Sequence, residues 1–103
     1  MTLDIITNPL LEGVPHGFFT RLGGASSGVF KGLNCGYGSS DQRDIVTINR
    51  SRVAGVLGVD ADALIGVHQV HSADAVTVTG PLSPPPKADA LVTAREGIAL
   101  SIL

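Results

Sequence analysis

One cysteine, no long apolar run and no block of like charge narrow this sequence before any motif is read. Cys35 is the single cysteine, so no internal disulfide can form, and no other Cys or His stands near it at zinc-site spacing. That fits a reducing compartment, with Cys35 read as a small semi-buried hydrophobe. No apolar stretch approaches the roughly 18 residues of a membrane span, and Met1-Thr2-Leu3-Asp4 lacks the basic-then-apolar order of a leader peptide. The expectation is a soluble cytoplasmic protein. Seven basic and nine acidic residues give a net charge of −2 with no long run of either sign. No electrostatic footprint for a nucleic-acid backbone is present, so DNA and RNA are not expected partners, and neither is a membrane. Charged residues make up 16% of the chain, below the roughly 25% of ordinary globular domains, which leaves little dedicated solvent-facing surface. No internal repeat is visible.

What is present fits one small domain or part of one, because domains most often run to roughly 100–150 residues. Gly97 to Leu103 is apolar enough to read as a buried strand, whereas domain termini are normally exposed. Residues 1–103 are therefore read as the N-terminal part of a single domain, incomplete in this chain; the alternative is a terminal strand docked in the middle of a sheet. Leu3 to Thr7 and Pro15 to Thr20 are expected strands, separated by the turn-prone Asn8-Pro9. Arg21 to Ser40 is glycine-rich and forms a long loop, of a length that in compact domains is functional or disordered. Asp41 or Asp44 is placed to accept hydrogen bonds from the first turn of a helix running to Leu57, and Gly58 suits its left-handed end. Ile45, Ile48, Arg52 and Val56 form its expected inner side, with Val53 and Leu57 nearby. Leu64 to His71 alternates as a strand should, Ile65, Val67, Gln69 and His71 sharing one face and His68 the other. Ala75 to Thr79 follows as a strand, a hairpin partner through Ser72-Ala73-Asp74. The proline-rich Pro81 to Pro86 makes an extended loop before a further strand at Ala88 to Thr93.

Gln69-Val70-His71 carries the most chemistry. It offers an imidazole at a strand end, with the Gln69 amide as donor and acceptor on the same face. His68 and His71 would share a metal on a helix but diverge on a strand, so a two-histidine site is not expected. Thr20-Arg21-Leu22-Gly23-Gly24 is either a flexible surface loop or an anion site in which backbone amides and the Arg21 fork hold a phosphate. It is not a P-loop: Gly23 and Gly28 have the right separation, but Val29 and Phe30 stand where Lys and Ser or Thr are required. Gly32 to Gly38 does not form a dinucleotide fingerprint. His16 precedes Gly17 at a strand start and orients it. Asp89 is a hydrogen-bonding carboxylate beside a strand or a loop cap. No Ser, His and Asp set has nucleophile-elbow context, which removes serine hydrolysis.

Taken in order, His16-Gly17-Phe18-Phe19-Thr20-Arg21-Leu22-Gly23-Gly24, Gly32-Leu33-Asn34, Asn49-Arg50, Gln69-Val70-His71 and Ala88-Asp89-Ala90-Leu91-Val92-Thr93 resemble the multicopper polyphenol oxidase, or laccase-domain, family, also known as the YfiH-like purine nucleoside phosphorylases. The resemblance implies an α+β fold of mixed β-sheet layers with packed helices, in which the sheet carries His71 near a strand end and the Asp44 to Leu57 helix packs on it. It implies a zinc site made by His71 with a cysteine and a histidine from later Thr-Ala-Asp-Cys and His-Ala-Gly-Trp segments, which these residues do not include. Three protein ligands and an open position are how a catalytic zinc is held, and one imidazole does not retain the metal firmly. The implied reaction converts adenosine, inosine or guanosine and phosphate to the base and ribose 1-phosphate, with adenosine deamination beside it. In that scheme His71 is the catalytic and metal-binding residue, while Arg21, Gly23, Gly24 and Gln69 bind substrate. Two departures stand out: Ser72 follows His71 where glycine is usual, and Cys35 replaces an aliphatic residue after Leu33-Asn34. Two other readings remain, a catalytically silent fragment or interaction module and a copper-dependent polyphenol oxidase; no cluster of His and Cys suited to several coppers is visible.

Overall fold

The computed structural model describes residues 2–103. They form two compact units, one ending at Val53 and the other Ala54–Leu103.

In the first unit, β1 (Ile5–Ile6) pairs antiparallel with β2 (Phe18–Phe19), Ile5 opposite Phe19 and Ile6 opposite Phe18. Both lie inside the expected strands but are cut short by the turn after Thr7. The Asn8 side chain accepts from the Leu10 amide at 2.9 Å and caps a 3₁₀ turn, Pro9–Leu11, whose first residue has no amide proton to leave unpaired. His16 closes the connection. Its Nε2 accepts the Asn8 amide at 3.0 Å, which leaves Nδ1 to donate to the Val14 carbonyl at 2.8 Å. Both ring nitrogens are thereby used in orienting the start of β2.

The helix α1 spans Arg43–Leu57, beginning one residue before the expected Asp44. Its end follows the sequence reading: Gly58 has φ +75°, Gly58 N–H donates to the Gly55 carbonyl at 3.3 Å and Val59 N–H to the Ala54 carbonyl at 3.1 Å, the paired bonds of a Schellman end. Its inner face differs from the expected one. Val46, Asn49, Val53 and Ala54 are buried, whereas Ile48 is 42% and Val56 50% exposed and Arg52 is also exposed. The apolar pattern misled because a polar residue, Asn49, occupies the centre of the buried stripe.

In the second unit, β3 (Leu64–Ile65) pairs parallel with β6 (Ala99–Leu100), and β4 (Ala75–Thr77) pairs parallel with β5 (Ala90–Val92). One antiparallel and two parallel ladders with a long helix make an α+β fold with mixed pairing. Three expectations are corrected. The Leu64 to His71 strand pairs only at Leu64 and Ile65, and beyond it the chain makes a single parallel bridge, His68 to Lys87. The Ser72-Ala73-Asp74 hairpin does not form: β4 takes its partner from β5, through a crossover holding the proline-rich loop. A parallel pair needs about a dozen residues to return, and Val78 to Asp89 supplies them. Finally, Gly97 to Leu103 is not buried: Ile102 is 53% and Leu103 70% exposed, because β6 pairs with β3 and, among the described residues, with no other strand. Ala54, Leu64, Ile65, Val78 and Ala88 form the buried core of this unit.

Candidate functional site

The candidate residues fall into two groups, Arg21, Gly23 and Gly24 in the first unit and Gln69 and His71 in the second.

Around the glycine-rich loop, Asn49 is fully buried and all its polar capacity is directed at main chain and hydroxyl groups. Its Oδ1 accepts from the Ala25 amide at 2.7 Å, and its Nδ2 donates to Ser26 Oγ and to the Asn34 carbonyl, both at 2.8 Å. Ser26 Oγ donates onward to Asp41 Oδ2 at 2.6 Å, which also accepts from Asn34 Nδ2 at 3.1 Å. The hydrogen bond from Ser26, with those from Asn34 and Gln42, holds the Asp41 carboxyl below its ordinary value against the opposing effect of partial burial. Arg50 donates to the Cys35 carbonyl at 3.0 Å and Arg52 to the Gly23 carbonyl at 2.7 Å. Tyr37 packs its ring under the Arg43 guanidinium, 4.2 Å from the centroid, and its hydroxyl meets Thr47 Oγ1 at 2.8 Å. Cys35 sits in this lattice half-buried; burial pushes its thiol up, with Arg50 opposing.

The loop's glycines are required by close approach. A Cβ on Gly24 would collide with the Gly32 carbonyl group and the Leu33 amide nitrogen, and one on Gly32 with Arg21 main chain. Gly23 is buried at φ +89°, where a Cβ would fall 2.9 Å from the Thr2 carbonyl oxygen. Gly23 and Gly24 therefore fold the loop onto itself, and neither lines the concavity of about 350 Å³ beside it. Arg21 does line it, with Phe19, Thr20, Phe30, Lys31 and Asn34. Arg21 and Lys31 are exposed, and among the described residues their side chains make no hydrogen bond or ion pair. Two unneutralised cations beside aromatic rings suit an anion carried on a flat, apolar body. Sequence reasoning missed Lys31 and Phe30, which only the Ser26–Gly32 bridge brings round to Arg21's side of the loop.

In the second unit, His71 is not on a strand. It has φ 61°, the left-handed region, in a loop between β3 and β4. For a non-glycine residue that conformation costs about 1 kcal/mol or more and must be held in place. Asp89 holds it: Oδ1 accepts from the amides of Val70 at 3.1 Å and Ser72 at 2.7 Å and from Ser72 Oγ at 2.8 Å, while Oδ2 accepts from the His71 amide at 3.1 Å. These bonds, led by the one from the Ser72 amide, lower the Asp89 carboxyl to about 2 although partial burial opposes them. Asp89 is thus a hydrogen-bonding carboxylate, as the sequence suggested, but its partners lie 17 to 19 residues away.

Gln69 is engaged in structure. Its Nε2 donates to the Leu103 carbonyl at 3.1 Å and its Oε1 accepts from the Leu103 amide at 2.8 Å, continuing by side chain a ladder in which Ser101 N–H donates to the Ile65 carbonyl at 2.9 Å. The His71 imidazole is exposed and makes no hydrogen bond among the described residues. Its chemistry fits a metal ligand. Among the described residues, though, no group of three or more His, Cys, Asp or Glu side chains is placed to hold a metal ion.

Comparison with known proteins places these features. Residues 15–103 match the family model described as multi-copper polyphenol oxidoreductase laccase. A purine nucleoside phosphorylase of Deinococcus radiodurans is 43% identical over 97% of this chain and 38% of its own length. Another, from Streptomyces coelicolor, is 40% identical over 90% of this chain and 39% of its own. The crystal structure of YlmD from Geobacillus stearothermophilus superposes with a TM-score of 0.79 at 31% identity, covering 90% of this chain and 38% of that one. Bacillus licheniformis YfiH, described as a hypothetical protein, gives a TM-score of 0.73 at 31% identity over 82% of this chain and 35% of its own. The chain thus spans about two fifths of the length of the curated relatives it matches. With that extent of match in sequence and fold, the chain belongs to the laccase-domain, YfiH-like family.

Proposed function

We propose that these residues carry the His71 end of a zinc-dependent purine nucleoside phosphorylase that converts adenosine, inosine or guanosine and phosphate to the free base and ribose 1-phosphate, with adenosine deamination as a side activity. The observation that carries the reading is the His71 imidazole, presented to solvent from a left-handed turn fixed by Asp89 while taking no structural hydrogen bond of its own. The names of the relatives from Deinococcus and Streptomyces support the reaction class.

His71 would hold the zinc with a cysteine and a histidine from the two later segments that the family resemblance implies. The metal would supply Lewis acidity, activating water for deamination or polarising the purine. The chain's own residues do the rest. Gln69 fixes the strand end at Leu103, from which the resemblance leads the chain on to the Thr-Ala-Asp-Cys segment. Arg21 binds phosphate, with the folded Gly23-Gly24 loop setting the position of its main chain; phosphorolysis needs such a cationic group because the attacking anion must be held and desolvated. The substrates are small molecules, and the protein acts in the cytoplasm.

The test combines turnover and metal content. Purified protein, with and without the two later segments, is incubated with inosine and phosphate while hypoxanthine release and bound metal are measured. Zinc with phosphate-dependent base release in the longer form is expected. Copper with oxygen uptake on phenols would replace this reading with the oxidase, and neither activity in either form would leave a non-enzymatic module.

A further inference from the structure

The four bonds received by Asp89 are divided unequally. Oδ1 takes three, from the Val70 and Ser72 amides and the Ser72 hydroxyl, and Oδ2 takes one, from the His71 amide. The carboxylate is itself rigidly placed. The Asp89 amide donates to the Asp74 carbonyl at 3.0 Å and the preceding Ala88, which is buried, donates to the His68 carbonyl at 3.1 Å. The segments on both sides of the His71 turn are thus tied to the strand that presents Asp89. His71 meanwhile holds φ 61° without being glycine, so its conformation is imposed by what its main chain binds rather than by local preference.

We propose that Asp89 is a positioning residue for the metal ligand, its Oδ2 holding His71 in the left-handed turn that aims the imidazole. This rests on the reading of His71 as a ligand. The unusual feature is the route: the outer partner of a metal-binding histidine normally grips the second ring nitrogen, whereas here the carboxylate grips the main chain and, among the described residues, both ring nitrogens are left without a hydrogen bond. Ring orientation is then set through φ and χ1 of His71 instead of through a ring hydrogen bond.

The unequal division supplies a selective probe. In Asp89→Asn the side-chain carbonyl keeps the Oδ1 role and its three donors, while the NH₂ faces the His71 N–H, donor against donor. Only the His71 contact is lost. Ser72→Ala is the control, since it removes the Ser72 hydroxyl's bonds to Asp89 and from the Asp74 amide and leaves the Oδ2 contact intact.

Two readouts are taken on wild type, Asp89→Asn, Ser72→Ala and His71→Ala. The first is the three-bond HN–Hα coupling and amide shift of His71 in metal-free protein. The second is zinc affinity and the cobalt(II) ligand-field spectrum in the form carrying the later segments. Asp89→Asn is expected to move His71 alone out of the left-handed range and to weaken zinc about 10- to 100-fold, the range seen when outer-shell partners are lost, with an altered cobalt spectrum. Ser72→Ala is expected to keep the coupling and to stay within about threefold in affinity, since no contact to the ligand residue is lost. An unchanged His71 coupling in Asp89→Asn, or equal losses in Asp89→Asn and Ser72→Ala, would overturn the proposal. Undiminished zinc binding in His71→Ala would instead remove the ligand reading beneath it, a different result from either.

Discussion

Replacing Asn49 with leucine tests whether the glycine-rich loop is held by one buried amide. Leucine keeps the branching of asparagine but is larger, so the substitution opens no cavity; unmet hydrogen bonds carry the loss and overpacking adds to it. Asn49 is fully buried and makes three, at 2.7, 2.8 and 2.8 Å. Ser26 keeps its bond to Asp41 at 2.6 Å and loses only an incoming donor. The Ala25 amide and the Asn34 carbonyl lose the partner they have in Asn49, and an unsatisfied buried polar group costs about 1–3 kcal/mol. Two such groups set the loss at roughly 2–6 kcal/mol, reduced by about 1 kcal/mol for the apolar side chain now buried. A net loss of about 1–5 kcal/mol is a large fraction of the roughly 5–15 kcal/mol that holds a domain folded. Urea unfolding followed by far-UV circular dichroism and by Tyr37 fluorescence, which reports the loop directly, should show a midpoint lowered by about 0.3 M or more for an m-value of about 1–3 kcal/mol/M. A variant within about 0.5 kcal/mol of wild type, the range of an inconsequential surface change, would refute the argument that the loop hangs on this residue.

Three further outcomes follow from the same geometry. Gly24→Ala places a methyl group against the Gly32 carbonyl, so main chain must move and stability should fall by about 1–3 kcal/mol in thermal unfolding; an unchanged melting temperature would mean that the loop is not packed as described. Asp41 has a folded pKa lowered by its bond from Ser26: the carboxylate's contribution is complete above the unfolded value of about 3.9 and is lost as pH falls through the lowered folded value. Asp41→Asn should therefore be less stable than wild type at neutral pH, and the difference should shrink in acid titrations below about pH 4; a pH-independent gap would contradict it. Arg21→Ala, assayed by phosphorolysis in the form carrying the later segments, should raise the KM for phosphate about 10- to 100-fold by loss of a charged hydrogen bond worth roughly 1.5–3 kcal/mol, and an unchanged phosphate dependence would end its assignment.

How much of this was legible in the chain depended on the range of the interactions involved. The helix was read to within a residue because its signals are local: acidic residues before the first turn and Gly58 after the last. Its buried face was misjudged because periodicity equates burial with apolarity, and Asn49 is buried by virtue of partners in residues 25–34. The Leu64 to His71 strand failed for a similar reason. Alternation carried the reading past Ile65, but a residue at φ 61° cannot continue a ladder, and what fixes it there is a carboxylate 18 residues downstream. Ser72-Ala73-Asp74 looked like a hairpin turn because small polar residues favour turns; it is a turn, shaped by Asp89 rather than by strand pairing. Of the candidate site residues, Arg21 and His71 stand exposed, while the roles of Gly23, Gly24 and Gln69 as packing and register elements required the contacts themselves.

The motif residues divide by what their polar atoms do. Asn34, Asn49, Gln69 and Asp89 direct theirs at main-chain, hydroxyl or carboxylate groups of their own unit, and Gly23, Gly24 and Gly32 give up side chains altogether so that backbones can meet. Arg21 and His71 do neither: their side chains are exposed and without hydrogen bonds among the described residues, although the main chain that carries each is closely held. Folding accounts for the first group. It does not account for the second, since an exposed, unpaired cation or imidazole adds little to stability. A side chain without a structural partner on a main chain that is over-determined is available to a ligand, and the backbone share of the entropy of fixing it has been met before the ligand arrives, leaving the side chain's own rotamers to be fixed on binding. That contrast, more than the glycine spacing or the lone histidine, is the physical reason for proposing phosphate at Arg21 and the metal at His71.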